Sequence, residues 1–254
     1  MPGPIALVRP VPDCFDRALV REGSPVIDTD VARAQHLEYC RHLAGAGYQV
    51  QIVPADEAHP DCVFIEDTAV VIGDTALITR PGAVGRRGEI EPVAEALSRY
   101  FRTTRVVAPG TIDGGDVLIV GGMVYVGRSQ RTNEAGIEQL RAVAAEERLE
   151  TTVVAVHDAL HLKSAALPID EGTLVVTRDA VDEHAFNGLH ILYEADEERH
   201  RFSALPLRDG RVMVTASAPV TSSLVARAGH ETVAIDVSQI QAADGGLTCM
   251  SILL

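Results

Sequence analysis

A strand–turn–strand unit that returns every 40 to 50 residues or so constrains this 254-residue chain more than any other feature. The first clear copy covers 64–72, turns at Gly73-Asp74 and returns over 75–79; a helix at about 88–100 and a strand at 105–108 follow. The second opens at Asp113-Gly-Gly-Asp116, runs on over 117–120, turns at Gly121-Gly122 and returns over 123–126. A helix at about 133–148 and a strand at 152–156 complete it. A third copy starts at 161–164, turns near Glu171-Gly172 and returns over 173–177, with a short and weakly marked helical segment. The fourth starts near 202–205, turns at Asp209-Gly210, returns over 211–215, and ends with a helix at about 220–228 and a strand at 232–235. A fifth supplies only its first strand, 247–254, for which the N-terminal strand 5–8 is the natural partner. Pairing the two chain ends closes a propeller-like ring and leaves no exposed edge. An open α/β sheet fits less well, because long crossovers between parallel strands would not supply a hairpin in every repeat.

Between the first strand and the first full repeat, residues 9–27 are rich in Pro, Gly, Asp and Arg without a period, which predicts a surface lid loop. Asp28-Thr-Asp30 offers caps for a helix to about Ala44, stopped by Gly45 and Gly47, and 48–53 alternates as a strand. Hydrophobic residues at 46% and charged residues at 23% suit one fully cored domain over 1–254. A formal net charge of −14 argues against nucleic acid and anionic membranes as partners, and suits a small cationic substrate. The four cysteines (Cys14, Cys40, Cys62, Cys249) form no Cys-x-x-Cys pair, and neither a signal peptide nor a spanning segment is evident. A cytoplasmic, thiol-reduced protein is expected, and a homodimer is compatible with it.

In a ring of such units, equivalent strand starts point towards one axis. They carry Glu66 and Asp67, Asp113 and Asp116, His161, Ser203 and Cys249. Cys249 follows the flexible Gly245-Gly246 turn and precedes the apolar run 251–254. A thiol, an imidazole and carboxylates make a nucleophile, a base and an orienter. Several carboxylates around them favour a planar guanidinium, which they bind in bidentate fashion. Taken singly, each residue has a plainer reading. Cys249 can be core, Asp-Gly-Gly a turn, His161 a hydrogen-bonded strand-edge histidine, and Glu66-Asp67 a solvated pair.

Together, Phe64-Ile-Glu-Asp67, Ile78-Thr-Arg-Pro-Gly82, Arg86-Arg87, Asp113-Gly-Gly-Asp-Val117, Gly127 with Arg131-Thr-Asn133, Leu160-His-Leu-Lys-Ser164 and Asp244-Gly-Gly with Cys249 resemble the dimethylarginine dimethylaminohydrolase family of the guanidine-modifying superfamily. The resemblance implies a five-bladed α/β propeller (pentein) of ββαβ repeats closed by the N- and C-terminal strands. It also implies hydrolysis of Nω-methylated arginine to citrulline and dimethylamine or methylamine, through a covalent thiouronium on Cys249. His161 would protonate the departing amine and then activate water, and Asp113 would orient His161 or hold the guanidinium. Asp67 with Glu66 would clamp the guanidinium nitrogens, Asp61 would bind the α-ammonium, and Arg86 and Arg131 the α-carboxylate. Leu19 on the lid and Ala243 would complete the substrate contacts. No metal and no cofactor are called for, and the partner is a small-molecule guanidine amino acid. In several members an Asn-Cys pair opens the fourth hairpin; here Ser203-Ala204 stands there. Arginine deiminase chemistry, with ammonia leaving, is the nearest alternative, although 254 residues leave no room for the extra helical domain usual in that branch. A non-catalytic binding propeller is the alternative from another class, and it would have no reason to keep Cys249, His161 and Asp113 together.

Overall fold

The computed structural model describes residues 3–21 and 23–254. Strand β1 (Ile5–Val8) is followed by helix α1 (Thr29–Gly45) and β2 (Gln49–Ile52). Then come β3 (Ala69–Ile72), β4 (Thr75–Ile78), α2 (Ile90–Leu97) and β5 (Arg102–Arg105). The next repeat is β6 (Val117–Val120), β7 (Met123–Arg128), α3 (Glu134–Glu146) and β8 (Glu150–Ala155). Strands β9 (Ala166–Pro168), β10 (Thr173–Val176) and β11 (His190–Tyr193) follow, with only a 3-10 turn at Glu183–Ala185 in their crossover. The chain ends with β12 (Ala204–Pro206), β13 (Val212–Thr215), α4 (Pro219–Arg227), β14 (Thr232–Ile235), α5 (Ser238–Ala242) and β15 (Ser251–Leu253).

Among the described residues these strands form five three-stranded sheets of one design. A hairpin pairs the first two strands antiparallel, and a crossover lays the third parallel to the second, as in β3-β4-β5. The sheet β15-β1-β2 follows the same rule although its strands come from both chain ends: β15 is antiparallel to β1 (Ala6 opposite Leu253), and β2 is parallel to it. The expected pairing of the termini is therefore present. Tyr39 of α1 secures it, its hydroxyl 2.7 Å from Ser251 Oγ.

Local signals explain the helix ends. The Asp28 side chain accepts the amides of Asp30 and Val31, and Gly47 at φ +91° carries the chain out of α1. Asn133 caps α3 by accepting the Gly136 amide, and Pro219 opens α4.

The structure corrects the sequence reading in two places. The stretches expected to open strands are 3-10 turns: Ile65–Thr68, Gly114–Asp116, Leu162–Ser164 and Thr248–Met250. An apolar run such as Val63-Phe-Ile65 cannot distinguish a buried turn from a buried strand. The strand expected at 105–108 is β5, three residues earlier. The β-branched Thr103 and Thr104 supply it, while Val107 is 62% exposed in the loop beyond. Helix α5 has no counterpart in the sequence reading.

The chain divides into two compact units, Met1–Ile65 with Glu194–Leu254, and Glu66–Tyr193. The first has one core, in which Phe15 meets Phe64 edge-on at 5.9 Å and joins Tyr39, Leu43, Met213, Leu247 and Met250. The second has two cores, one around Ile137 and Leu140 of α3, the other around Leu162, Leu174 and Phe186. Most of the predicted lid at 9–27 is irregular, with a 3-10 turn at Phe15–Arg17; Glu22 within it lies outside the described residues. Among the described residues no helix is long and apolar enough to cross a membrane.

Candidate active site

In the unit Glu66–Tyr193, the candidate side chains lie within or just before three 3-10 turns: Glu66 and Asp67 within Ile65–Thr68, Asp113 and His161 at the extended positions that precede Gly114–Asp116 and Leu162–Ser164. A 3-10 turn lifts side chains out of the alternation a strand would impose. Gly114 packs so tightly against the Glu66 carbonyl that the oxygen occupies the place of a Cβ. Gly115 is equally confined, since a Cβ there would stand 2.7 Å from His161 Nδ1 and 2.9 Å from Asp67 Oδ1. The double glycine of the Asp-Gly-Gly-Asp motif therefore serves close approach of backbone to side chains.

His161 is 4% exposed, with Nε2 3.0 Å from Asp113 Oδ2 and Nδ1 3.9 Å from Asp67 Oδ1. Burial works against its charged form. The charge of Asp67, the hydrogen bond to Asp113 and the charges of Asp116 and Asp113 outweigh it and lift the imidazole to about 9. Asp67 is also buried, which alone would raise it, but the charges of His161 and Arg86 and the hydrogen bonds from Arg86 and the Gly115 amide bring it down to about 2. Asp113, fully buried, accepts the Gly82 amide at 2.8 Å and faces Arg131 Nη1 at 3.4 Å.

The two expected carboxylate-binding arginines differ. Arg131 is 18% exposed at its side chain. Arg86 is buried, with Nη1 2.5 Å from Asp67 Oδ2 and its Nε and Nη2 on the Glu89 carboxylate. As the site stands, its fork is directed at these two acids. Glu66 meets Lys163 Nζ at 2.5 Å. Donor atoms of Asp67, Asp113 and His161 lie within 4.8 Å of one another, a spacing that suits a cation. The Arg86 and Arg131 guanidinium groups already supply positive charge to those two aspartates.

In the unit Met1–Ile65 with Glu194–Leu254, Cys249 sits in the turn Thr248–Met250 and is partly buried. The Gly246 amide points at its sulfur from 3.3 Å, an arrangement that favours a thiolate. Gly245 has the Phe64 ring where a Cβ would be, and Gly246 has Ser203 Oγ 2.7 Å from that place. Asp61 accepts the Leu19 amide at 3.0 Å, so two of the predicted substrate-binding residues touch each other. Ala243 is buried at the end of α5, next to Asp244 at φ +58°.

A family model described as N,N dimethylarginine dimethylhydrolase, eukaryotic, matches residues 12–253. The N(G),N(G)-dimethylarginine dimethylaminohydrolase of Streptomyces coelicolor is 37% identical over all of this chain and 98% of its own. That of Pseudomonas aeruginosa is 34% identical over 88% of this chain and 89% of its own. This chain belongs to the dimethylarginine dimethylaminohydrolase family. A Pseudomonas aeruginosa structure of that family, a cysteine-to-serine mutant complexed with citrulline, superposes with a TM-score of 0.93 at 31% identity, over 98% of each chain. The N-terminal domain of an arginine dihydrolase, 18% identical with a TM-score of 0.85, shares the fold. The five sheets are thus the five blades of the dimethylarginine dimethylaminohydrolase fold, the α/β propeller of the penteins.

Beyond the residues expected for a dimethylarginine dimethylaminohydrolase, the structure adds partners the sequence reading passed over. Glu89 neutralises Arg86, and its spacing of three residues was a readable sign. Lys163 pairs with Glu66. Ser203, the departure from the Asn-Cys of some members, accepts the Leu247 amide at 2.9 Å and braces the turn before Cys249. Arg21, in the irregular segment 9–27, gives both its amide (2.9 Å) and its Nε (3.2 Å) to Asp244.

Proposed function

We propose that the protein hydrolyses Nω-methylated arginine to citrulline and dimethylamine or methylamine. The observation that carries this reading is the buried His161 with Nε2 3.0 Å from Asp113 Oδ2 and Nδ1 3.9 Å from Asp67 Oδ1, a setting that raises the imidazole to about 9 against its burial. A guanidinium is resonance-stabilised, and its amine leaves only once protonated, so the reaction needs an acid charged at neutral pH. Family membership supports the substrate class, since the Streptomyces and Pseudomonas relatives are dimethylarginine dimethylaminohydrolases and one binds citrulline.

The Cys249 thiolate attacks the guanidinium carbon, forming a C–S bond. The bond from that carbon to the methylated nitrogen breaks as His161 gives its proton to the leaving amine. The S-alkylthiouronium remains on the enzyme. Neutral His161 then takes a proton from water, whose oxygen attacks the same carbon, and the thiolate departs as the remaining hydroxyl proton passes to solvent, which leaves citrulline. Asp113 orients His161, and Asp67 with Glu66 holds the guanidinium. Asp61, together with Leu19 and Ala243, takes the α-ammonium end, and Arg131 with Arg86 the α-carboxylate. A small-molecule amino acid is the partner, with no cofactor in the scheme. A cytoplasmic setting would keep Cys249 reduced.

Release of the ureido product from asymmetric dimethylarginine, monomethylarginine and arginine (citrulline) and from agmatine (N-carbamoylputrescine) tests the reading. Turnover of the two methylated arginines, abolished in Cys249→Ser, is expected. Efficient turnover of arginine with none of dimethylarginine would overturn it.

A further inference from the structure

Asp116 closes the Asp-Gly-Gly-Asp motif, and the proposed mechanism does not use it. It is completely buried. Among the described residues it accepts hydrogen bonds from Ser129 Oγ at 2.6 Å, Thr132 Oγ1 at 2.6 Å and the Leu162 amide at 2.9 Å. That set matches a carboxylate, which only accepts. Two of the donors lead to the catalytic pair. Leu162 directly follows His161, so the bond to its amide fixes the backbone from which the imidazole projects. Thr132 Oγ1 also accepts the Asp113 amide at 3.2 Å, so one hydroxyl ties Asp116 to the backbone of the histidine's partner. Gly127 completes the enclosure, for a Cβ there would stand 2.7 Å from Asp116 Oδ1.

We propose that Asp116 is a positioning residue for His161, holding the imidazole and Asp113 in register through Leu162 and Thr132 and adding a third negative charge behind the proton donor. This rests on His161 being the acid of the proposed reaction. An ordinary buried aspartate that only satisfied a turn would have no need of a link to both members of the pair. The groups facing His161 are Asp67, Asp113 and Asp116, with Arg86 on Asp67 and Arg131 on Asp113.

The test is Asp116→Asn, which keeps the shape and removes the charge. Activity with dimethylarginine is followed against pH, and the His161 ring is titrated by NMR, independently of turnover. A fall of about 10²-fold in kcat is expected, as for an approximately 1 Å displacement of a catalytic group, with KM changed less than about threefold. The alkaline limb of the profile and the NMR titration should both move to lower pH. Wild-type kcat, or an unmoved His161 titration in folded protein, would overturn the proposal. If Asp116→Asn does not fold, Thr132→Val against Thr132→Ser decides. The serine should keep the wild-type profile and the valine should lose kcat, whereas equal behaviour of the two would overturn it. Should even the wild type lack turnover, the His161 titration in Asp116→Asn still tests the positioning, and only the reading of the reaction fails.

Discussion

Two buried histidines, one in each compact unit, are driven in opposite directions. His161 stands among carboxylates and is lifted to about 9. His36, on α1, is 6% exposed, and burial lowers it to about 4. Among the described residues its Nε2 has no hydrogen-bond partner, and its Nδ1 meets the Cys40 sulfur at 3.8 Å, a weak contact. Burial disfavours the imidazolium in both places, so partners decide the outcome. The same residue type is thus favoured as a charged ring in one unit and as a neutral core ring in the other.

Replacing each ring in turn is the severest trial of that contrast. His161→Gln should lower kcat by about 10³-fold, the range for loss of a general acid, while His36→Leu should leave turnover within about twofold of wild type. Steady-state citrulline release measures both, and comparable losses in the two variants would erase the distinction. The stability signatures differ as well. The folded pKa of His161 lies above that of the unfolded chain, so its contribution is complete below about pH 6.5 and is lost as pH climbs through about 9. For His36 the unfolded chain takes up a proton that the fold refuses, so stability falls as pH drops from about 6.5 towards about 4. His36→Leu should therefore remove about 2 kcal/mol of acid destabilisation at pH 5, read from urea unfolding at pH 5 and pH 7. An unchanged difference between the two pH values would mean that His36 is solvated in the fold.

How far this contrast can be read in the sequence depends on what surrounds each ring. His161 is legible because Leu160-His-Leu-Lys163 opens a repeat, and the repeats themselves announce five hairpins. The strands β1, β14 and the turn at Asp209-Gly210 follow directly from apolar runs and turn residues. His36 is not legible in this way. Its burial comes from α1 lying against a core that includes residues from 213 to 250, and no local pattern reports that. The same limit applies to the partners of His161. Asp113 comes from 48 residues away and the Leu162 amide meets Asp116 across 46, distances at which only the repeat period gives any hint. The 3-10 turns were hidden for another reason, since a turn that buries its apolar residues presents the composition of a strand. Arg86 shows the cost: spacing identifies it as a candidate cation, yet its engagement with Glu89 and Asp67 follows from a fold that sequence alone does not place.

If partners set His161, removing the charge of Asp67 should move it. Asp67→Asn is expected to lower the His161 titration by about one unit, roughly 1.4 kcal/mol of differential interaction. NMR of the ring protons reads this without reference to turnover, which Asp67→Asn would impair anyway through guanidinium binding. A His161 that stayed near 9 would assign its protonation to Asp113 and Asp116 alone.

The smallest effect sharpens the other side. The Cys40 sulfur lies 3.8 Å from His36 Nδ1, and burial raises its thiol to about 11, so it carries no charge at neutral pH. A neutral thiol at 3.8 Å gives the ring little electrostatic help and little hydrogen bonding. Cys40→Ala should therefore leave the His36 titration within about half a unit of wild type, because desolvation by the surrounding helix and core is undisturbed. Stability should change by about 1 kcal/mol or less, the loss of one partly buried sulfur. Two-dimensional NMR across about pH 3.5 to 7, which brackets the ordinary 6.5 and the lowered value of about 4, measures the first, and urea unfolding measures the second. A rise of the His36 titration towards 6.5 in Cys40→Ala would show water entering beside the ring, and would make His36 a case of loose packing instead of refusal by the core.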